Sequence, residues 1–450
     1  MIVLWTDALI FMLISALLAL AFYLRGKEHI KRPLQIIVSS KVGMGSLIIL
    51  LFFIFIGLLD SVHFKPTDTK NNEIISLLDA WATPLREHTE KTYSAPFATT
   101  LYSKEIILLA DGAGQWGYPR LAYGGNYLNG AESEHLIDIL KKIANGFAQS
   151  AGLMVFSLLC YLIIRRKVQA QQRDFFYFSS SVTVSLIVSF IIISMAYTLI
   201  HLSGYYHVFG TDKVGEDVFY QAIKSIRTGL VLGTLTTLIM LPMAIIFGIL
   251  AGFFRGWIDD LIQYIYTTLN SIPSVLLIAA SILMVQVYMV NHEQDFTSVI
   301  VRADVRLLFL CLILGVTNWT GLCRLLRAET LKLRELEYVQ AAQALGVKEG
   351  MILFRHILPN VMHIILISVV LDFSALVLAE AVLSYINIGV DPTTYSWGNM
   401  INGARLEMAR EPIVWWSLSA AFVFMFTLVL AANLFADTVH EAFDPRRNAE

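Results

Sequence analysis

The sequence predicts an all-α polytopic membrane protein, and three observations predict it. Of 450 residues, 56% are hydrophobic and only 15% are charged, against about 25% charged in soluble domains. The mean hydropathy is +0.65. Nine segments match or approach the roughly 20 mostly apolar residues that a helix needs to cross hydrocarbon. This balance excludes a disordered chain and argues against an ordinary soluble enzyme. A formal net charge of −2 offers no basic surface to nucleic acid.

The elements follow in chain order. An N-terminal transmembrane hairpin is expected over 1–59, with spans 8–24 and 42–59. A signal peptide needs a basic stretch before its apolar run. Here Asp7 is the only charge in the first ten residues, and Arg25, Lys27, Lys31 and Arg32 come afterwards. A retained first span with its N-terminus outside fits that order. Residues 60–145 form an external (periplasmic) insertion, too long for a structureless loop in a compact protein. It holds Trp81 and a turn-rich, aromatic run from Asp111 to Asn126. Residues 132–144 read as an amphipathic helix with Leu136, Ile137, Leu140 and Ile143 on one side. A small folded cap is expected, with a flexible loop as the simpler alternative.

A further transmembrane pair lies in 146–204, with spans 146–164 and 182–200. A core follows over 205–436, with spans 229–252, 272–290, 307–323, 361–386 and 413–436, and a tail over 437–450. Lysine and arginine favour the cytoplasmic side of short loops. With nine spans and an outside start, the inside segments carry 18 such residues and the short outside segments 7. That bias puts the C-terminus in the cytoplasm.

The largest inside segment is 324–360. Arg324 to Leu345 is rich in helix formers and reads as one helix, and Gly346 is a natural stop after it. A second short helix is expected over about 348–357, with Pro359-Asn360 turning into the next span. Ala341 and Ala342 are small enough to let a partner backbone approach closely. On physics alone, a solvated connecting loop is an equal reading.

Tyr338-Val-Gln-Ala-Ala-Gln-Ala-Leu-Gly346 followed by Arg355-His-Ile-Leu-Pro-Asn360 resembles the EAA loop of ABC importer permeases. The version here is similar to the dipeptide/oligopeptide/nickel branch, and within it to the second permease subunit, the DppC/OppC type. Further stretches agree. Phe209-Gly-Thr-Asp-Lys-Val-Gly-Glu-Asp-Val-Phe219 resembles that branch's external signature, carried by Gly210, Thr211, Asp212, Gly215 and Asp217. Ala251–Asp260, Ser271-Ile-Pro273, Glu380-Ala-Val-Leu-Ser384, Gly389, Ser396-Trp-Gly-Asn399 and Ala442-Phe-Asp-Pro-Arg446 resemble its other core motifs. The resemblance covers about 205–446.

It implies a type I permease core of about six helices, to which the extra N-terminal spans and the insertion are added. It implies a bacterial cytoplasmic (inner) membrane location and a heterodimer with a second permease. Two P-loop ATPase subunits carrying ATP and Mg, and an external solute-binding protein, would complete the importer, with lipid around the spans. The loop residues expected to couple to the ATPase are Glu337, Tyr338, Gln340, Ala341, Ala342, Gly346, His356 and Pro359. Gly346 would set the angle between the loop helices and Pro359 the exit into the span. Three departures stand out. Gln340 occupies the place of the usual Glu, Glu216 that of the usual Arg, and the N-terminal half is longer than the branch requires.

Other residues carry signals of their own chemistry. No GxxxxGK[ST] motif occurs, so no ATP site is expected on this chain. Asp372 and Glu380 are acids within a span. They either face a translocation path or hold helices together. Asn318, with Thr320, could contact solute, although bonds between helices are the commoner use. Pro242 lies mid-span and could kink its helix. Trp397, Trp415 and Trp416 fit an outer aromatic belt. Cys160, Cys311 and Cys323 read as buried small apolar residues. No HExxH or Gly-x-Ser-x-Gly occurs, and His201 and His207 lack a nearby third ligand, so neither a catalytic site nor a metal site is expected. The rival to an importer subunit is a stand-alone ion-coupled transporter or channel, which has no use for a coupling loop.

Overall fold

A chain segment in hydrocarbon can satisfy its backbone only internally, and a helix is the local way to do so. The computed structural model describes residues 3–24, 28–65, 74–108, 114–128, 132–169, 180–295 and 298–443. Each of the nine expected segments is wholly or mostly helical. In order the helices are α1 (Trp5–Leu24), α2 (Glu28–Ser39), α3 (Lys41–Ser61), α4 (Leu77–Trp81), α5 (Thr83–Glu87), α6 (Glu132–Gln169), α7 (Ser180–Ser203) and α8 (Val218–Phe254). Then come α9 (Gly256–Ser271), α10 (Ser274–Asn291), α11 (Val299–Arg334), α12 (Glu337–Ala344), α13 (Glu349–Ile352), α14 (Leu358–Tyr385), α15 (Trp397–Glu407) and α16 (Trp416–Phe443).

Among the described residues, six helices are long and apolar enough to cross a membrane: Lys41–Ser61, Thr183–Ser203, Val218–Phe254, Ser274–Asn291, Glu349–Tyr385 and Trp416–Phe443. The segments 8–24, 146–164 and 307–323 fall inside α1, α6 and α11. In α11 the apolar stretch is clipped by Arg302, Asp304 and Arg306 on one side and Arg324 and Arg327 on the other.

The chain divides into two compact units. One comprises 1–37, 228–394 and 432–450, and the other 38–227 and 395–431. In the first unit, α8 and α11 approach closely because glycines leave room. A Cβ on Gly248 would stand 2.8 Å from the Cys323 carbonyl oxygen and the Leu326 Cβ, and one on Gly252 would stand 2.6 Å from the Thr330 Cβ. This Gly-x-x-x-Gly pair is the small-residue packing that membrane helices use where burial from water offers no drive. Cys323, Leu326, Val339, Ile352, Ile357 and Val361 share the adjoining core. Cys311 and Cys323 are buried free thiols, as expected. The Cys160 side chain lies outside the described residues. The extra helix α1 is joined to the core. The Thr6 backbone N–H donates to Asp304 Oδ2 at 3.2 Å and its hydroxyl donates to Oδ1, while Leu9 and Ile10 pack on the cluster around Leu307 and Leu310.

In the second unit, α7 packs on α3 and α6. Ser150 donates to Ser194 at 3.0 Å and Tyr197 to Gln149 at 2.7 Å. The insertion is a folded cap. It contains two antiparallel hairpins, β1 (His63–Phe64) with β2 (Ile75–Ser76), and β3 (Glu105–Leu108) with β4 (Gly114–Gly117). These short strands are the departure from an all-α chain.

Three expectations need correction. The helix over 132–144 is the first part of α6, so the 145/146 boundary falls inside one helix. Leu136, Ile137, Leu140 and Ile143, on that part of α6, are exposed. Trp397 and Trp416 are each 1% exposed and belong to no belt. Their indole N–H groups donate to the carbonyls of Ala222 at 3.1 Å and Thr211 at 2.9 Å, which makes burial tolerable; Trp415 alone is exposed. Finally, α16 continues to Phe443, past the expected 436/437 boundary, and the rest of the expected tail lies outside the described residues.

The close crossing gives a first prediction. Gly252→Leu should destabilise the protein by about 1–3 kcal/mol through overpacking. Gly403→Ala, whose Cβ would meet nothing within 4 Å, should be neutral. Thermal unfolding of the two variants in mild detergent checks this.

Candidate functional site

The loop between α11 and α14 differs from the sequence reading in two places. The helix expected over 324–345 is two helices, since α11 ends at Arg334 and α12 starts at Glu337. Arg334 explains the stop, because its guanidinium donates to the Phe253 carbonyl at 2.7 Å and ties the end of α11 down. Pro359 makes no turn. It sits in the first turn of α14, and α13, a π-helical turn over Leu353–Ile357 and α14 run on as one helix. Proline lacks an N–H and its ring crowds the carbonyl four residues earlier. The widened turn just before it accommodates that defect.

Gly346 does what its position predicts. At φ +74° it closes a Schellman stop. Its N–H donates to the Gln343 carbonyl at 3.0 Å, and the Val347 N–H donates to that of Ala342 at 3.1 Å. Ala342 and Val347 pack on the core beneath, beside fully buried Val339. Glu337, Tyr338, Gln340 and Ala341 point outward. Tyr338 and half-buried His356 face each other at 5.9 Å, and the Asn360 amide donates to the Tyr338 hydroxyl at 3.0 Å. The Gln340 amide donates to the Glu335 carbonyl at 3.3 Å and to its carboxylate at 3.4 Å. A glutamate at 340 could donate to neither and would face a like charge, so the amide suits this setting.

What the loop offers outward is apolar. Leu345 is 83% exposed, Phe354 76% and Met351 54%. Lys348, Gly350, Met351, Phe354 and Arg355 line a shallow depression beside them. Sequence reading missed these apolar residues. The signal was available, since Leu345 precedes the glycine stop and cannot fold back under it.

The intramembrane residues separate. Glu380 is buried, and Ser384 Oγ donates to it at 2.7 Å. Asp372 is half-buried. The Asn318 amide donates to Leu314 of its own helix at 2.8 Å, whereas Thr320 reaches Asn270 of α9 at 3.0 Å. Pro242 lies on an exposed face of an uninterrupted α8.

The external signature forms a second constellation, in the other unit. Gly210 (φ +69°) and Gly215 (φ +81°) bring their backbones against the cap, where a Cβ would stand 2.3 Å from the Ser94 carbonyl and 1.8 Å from the Glu90 carbonyl. The Thr211 hydroxyl donates to the Thr92 carbonyl at 2.8 Å and accepts from the Ser94 N–H at 2.6 Å. Asp212 accepts from the Val214 and Glu216 N–H groups, both at 2.9 Å. Glu216, standing where an arginine is usual, accepts from Gln221 at 3.2 Å. Asp217 caps α8 by accepting from the Phe219 N–H at 2.8 Å and the Tyr220 N–H at 3.2 Å.

Asp217 also bonds His207 Nδ1 at 2.7 Å, and His207 Nε2 lies 3.5 Å from Glu90. Glu90 accepts in turn from the N–H groups of Ala122, Tyr123 and Gly124 at 2.8, 2.8 and 3.2 Å. Burial alone would lower the His207 pKa, but the two carboxylates outweigh it and raise it to about 9. Burial would raise that of Glu90, yet His207 and the three N–H groups hold it at about 2. His207 is thus an imidazolium clamped between two acids. Glu90 carried no sequence signal, being over a hundred residues away from its partner.

The family described as "Binding-protein-dependent transport system inner membrane component" matches residues 244–449. Among curated proteins, the chain is similar to a dipeptide transport system permease protein of Lactococcus lactis subsp. cremoris, at 29% identity over 54% of this chain and 65% of that protein. It is similar to an oligopeptide transport system permease protein of Bacillus subtilis, at 30% identity over 53% of this chain and 72% of that one. A glutathione transport system permease protein of Pectobacterium atrosepticum also matches, at 30% over 53% and 73%.

The clamp has a pH signature. His207, raised from 6.5 to about 9, stabilises fully below pH 6.5, and its contribution is lost as pH rises through 9. Glu90, lowered from 4.5 to about 2, stabilises fully above pH 4.5 and is lost as pH falls through 2. The cap should therefore be most stable between those limits. It should weaken by up to about 3 kcal/mol toward pH 9, and His207→Gln should flatten the alkaline limb. Hydrogen exchange of residues 90–101 and 120–125 across pH measures it.

Proposed function

Because the chain belongs to the family of binding-protein-dependent transport system inner membrane components, we propose that it is the membrane permease subunit of an ATP-driven importer for peptides or similar small solutes. In this reading it pairs with a second, different permease in the bacterial inner membrane, N-terminus outside and C-terminus in the cytoplasm. Two P-loop ATPase subunits bind ATP and Mg on the inside, and a solute-binding protein delivers cargo from the outside.

The observation that carries the proposal is the build of the 335–357 loop. It exposes Leu345, Met351 and Phe354 on short helices whose other faces are locked into the core by Val339, Ile352 and Ile357. An exposed apolar tip with a basic rim of Lys348 and Arg355 suits a groove on another protein. The base suits a lever. Arg334 fixes one arm to Phe253, and on the other side helix runs unbroken from Glu349 to Tyr385. When ATP binding draws the two ATPase subunits together, a push on the tip travels into α14 as rigid-body motion. The spans then exchange inward-open and outward-open states, biased by the different contacts each state makes with the ATPase.

Two substitutions test the tip and the lever separately. Phe354→Asp should cut copurification of the ATPase subunits and lower ATP-driven uptake at least tenfold, with unchanged amounts of this chain in the membrane. Gly346→Ala adds no clash, since nothing lies within 4 Å of its Cβ, but strains φ +74°. It should leave the ATPase bound while uncoupling its hydrolysis from uptake. Wild-type uptake in both variants would overturn the coupling role. ATP-independent transport by the purified single chain in liposomes would favour the stand-alone transporter instead.

A further inference from the structure

Asp372 stands apart from every other acid in the spans. It lies about 20 Å along α14 from either end of that helix, near the middle of its apolar run. It is half-buried, and among the described residues it has no hydrogen bond or ion pair. Glu380, two turns on, is buried and bonded by Ser384. A carboxylate at mid-membrane is costly facing lipid and is tolerated where it faces water, a cation or a path.

The helical wheel shows which way it faces. Leu371, Leu378 and Val382 form the exposed apolar stripe of α14. Ile365 and Leu376 are packed into the core clusters. At about 100° per residue, Asp372 falls on the seam between stripe and core, alongside Ser368 and Ala379. Its neighbours on that seam are short, so the carboxylate is not covered by its own helix. A half-buried carboxylate with no partner of its own attracts whatever cation passes it.

We propose that Asp372 is a charge-selective contact on the translocation path, favouring solutes that carry a positively charged group at the point of passage. The proposal rests on the importer reading above and names the cargo chemistry that reading leaves open. Asp372 acts here as a specificity residue, lowering the barrier for a cationic side chain and raising it for an anionic one.

The test uses the complete importer in proteoliposomes, with this chain, its partner permease, the ATPase subunits and the binding protein. Three matched tripeptides, Ala-Lys-Ala, Ala-Leu-Ala and Ala-Glu-Ala, are taken up under ATP by wild type and by Asp372→Asn. Dividing variant by wild-type rate for each peptide cancels the binding protein's own preference and the shared termini. The expected ratios rise in the order Lys, Leu, Glu, with about tenfold between the extremes, and Asp372→Glu restores the wild-type order. Equal ratios for all three peptides would overturn the proposal. So would failure of the Asn variant to assemble while the Glu variant does, the result expected of a structural ion pair with the partner permease. If the wild-type importer takes up none of the three, the peptide reading fails first and the charge contact falls with it, an outcome visible without any variant.

Discussion

Inside a bilayer each backbone N–H and C=O must find a partner without water. That constraint forces long helices on this chain, and it decides how the helices can be broken. Pro359 would normally end a helix, yet the loop re-enters α14 through a π-helical turn rather than a bend. Pro242 is carried within α8 with no break. The same constraint explains why close contacts between α8 and α11 are made by glycines, because backbones that approach closely gain packing without exposing polar atoms.

Around the cap, other forces take over. The cap is held by charge: His207 between Glu90 and Asp217, and Lys224 between Asp60 and Asp79 at 2.6 and 2.8 Å. Buried ion pairs of this kind are weak evidence for net stability, but removing one partner leaves an uncompensated charge. They therefore set geometry. The external signature and the cap are one built object, in which two glycines with positive φ let the backbones touch.

Much of this was legible beforehand. Every apolar run became wholly or mostly helix, the insertion folded, and Gly346 stopped a helix where its lack of a Cβ predicts. What could not be read was tertiary. Nothing local marks Arg334 as a carbonyl partner of Phe253, so one expected helix turned out to be two. The tryptophans near the expected surface looked like belt residues because composition does not reveal that a carbonyl waits for each indole N–H. The Gly248-x-x-x-Gly252 spacing was visible, but its meaning depends on which helix comes to lie against it. In the candidate site, the loop residues stood out by motif and Leu345 by its place before Gly346, whereas the outward setting of Met351 and Phe354 depended on which side of the second short helix the core would claim.

The His207 clamp also bears on how the protein is made. Glu90 and the N–H groups of residues 122–124 leave the ribosome early. The imidazole that completes their site follows only after both α6 and α7 have been synthesised. Until then the cap holds an acid without its cation. Completion of the cap is thereby tied to a residue that follows α6 and α7 in the chain.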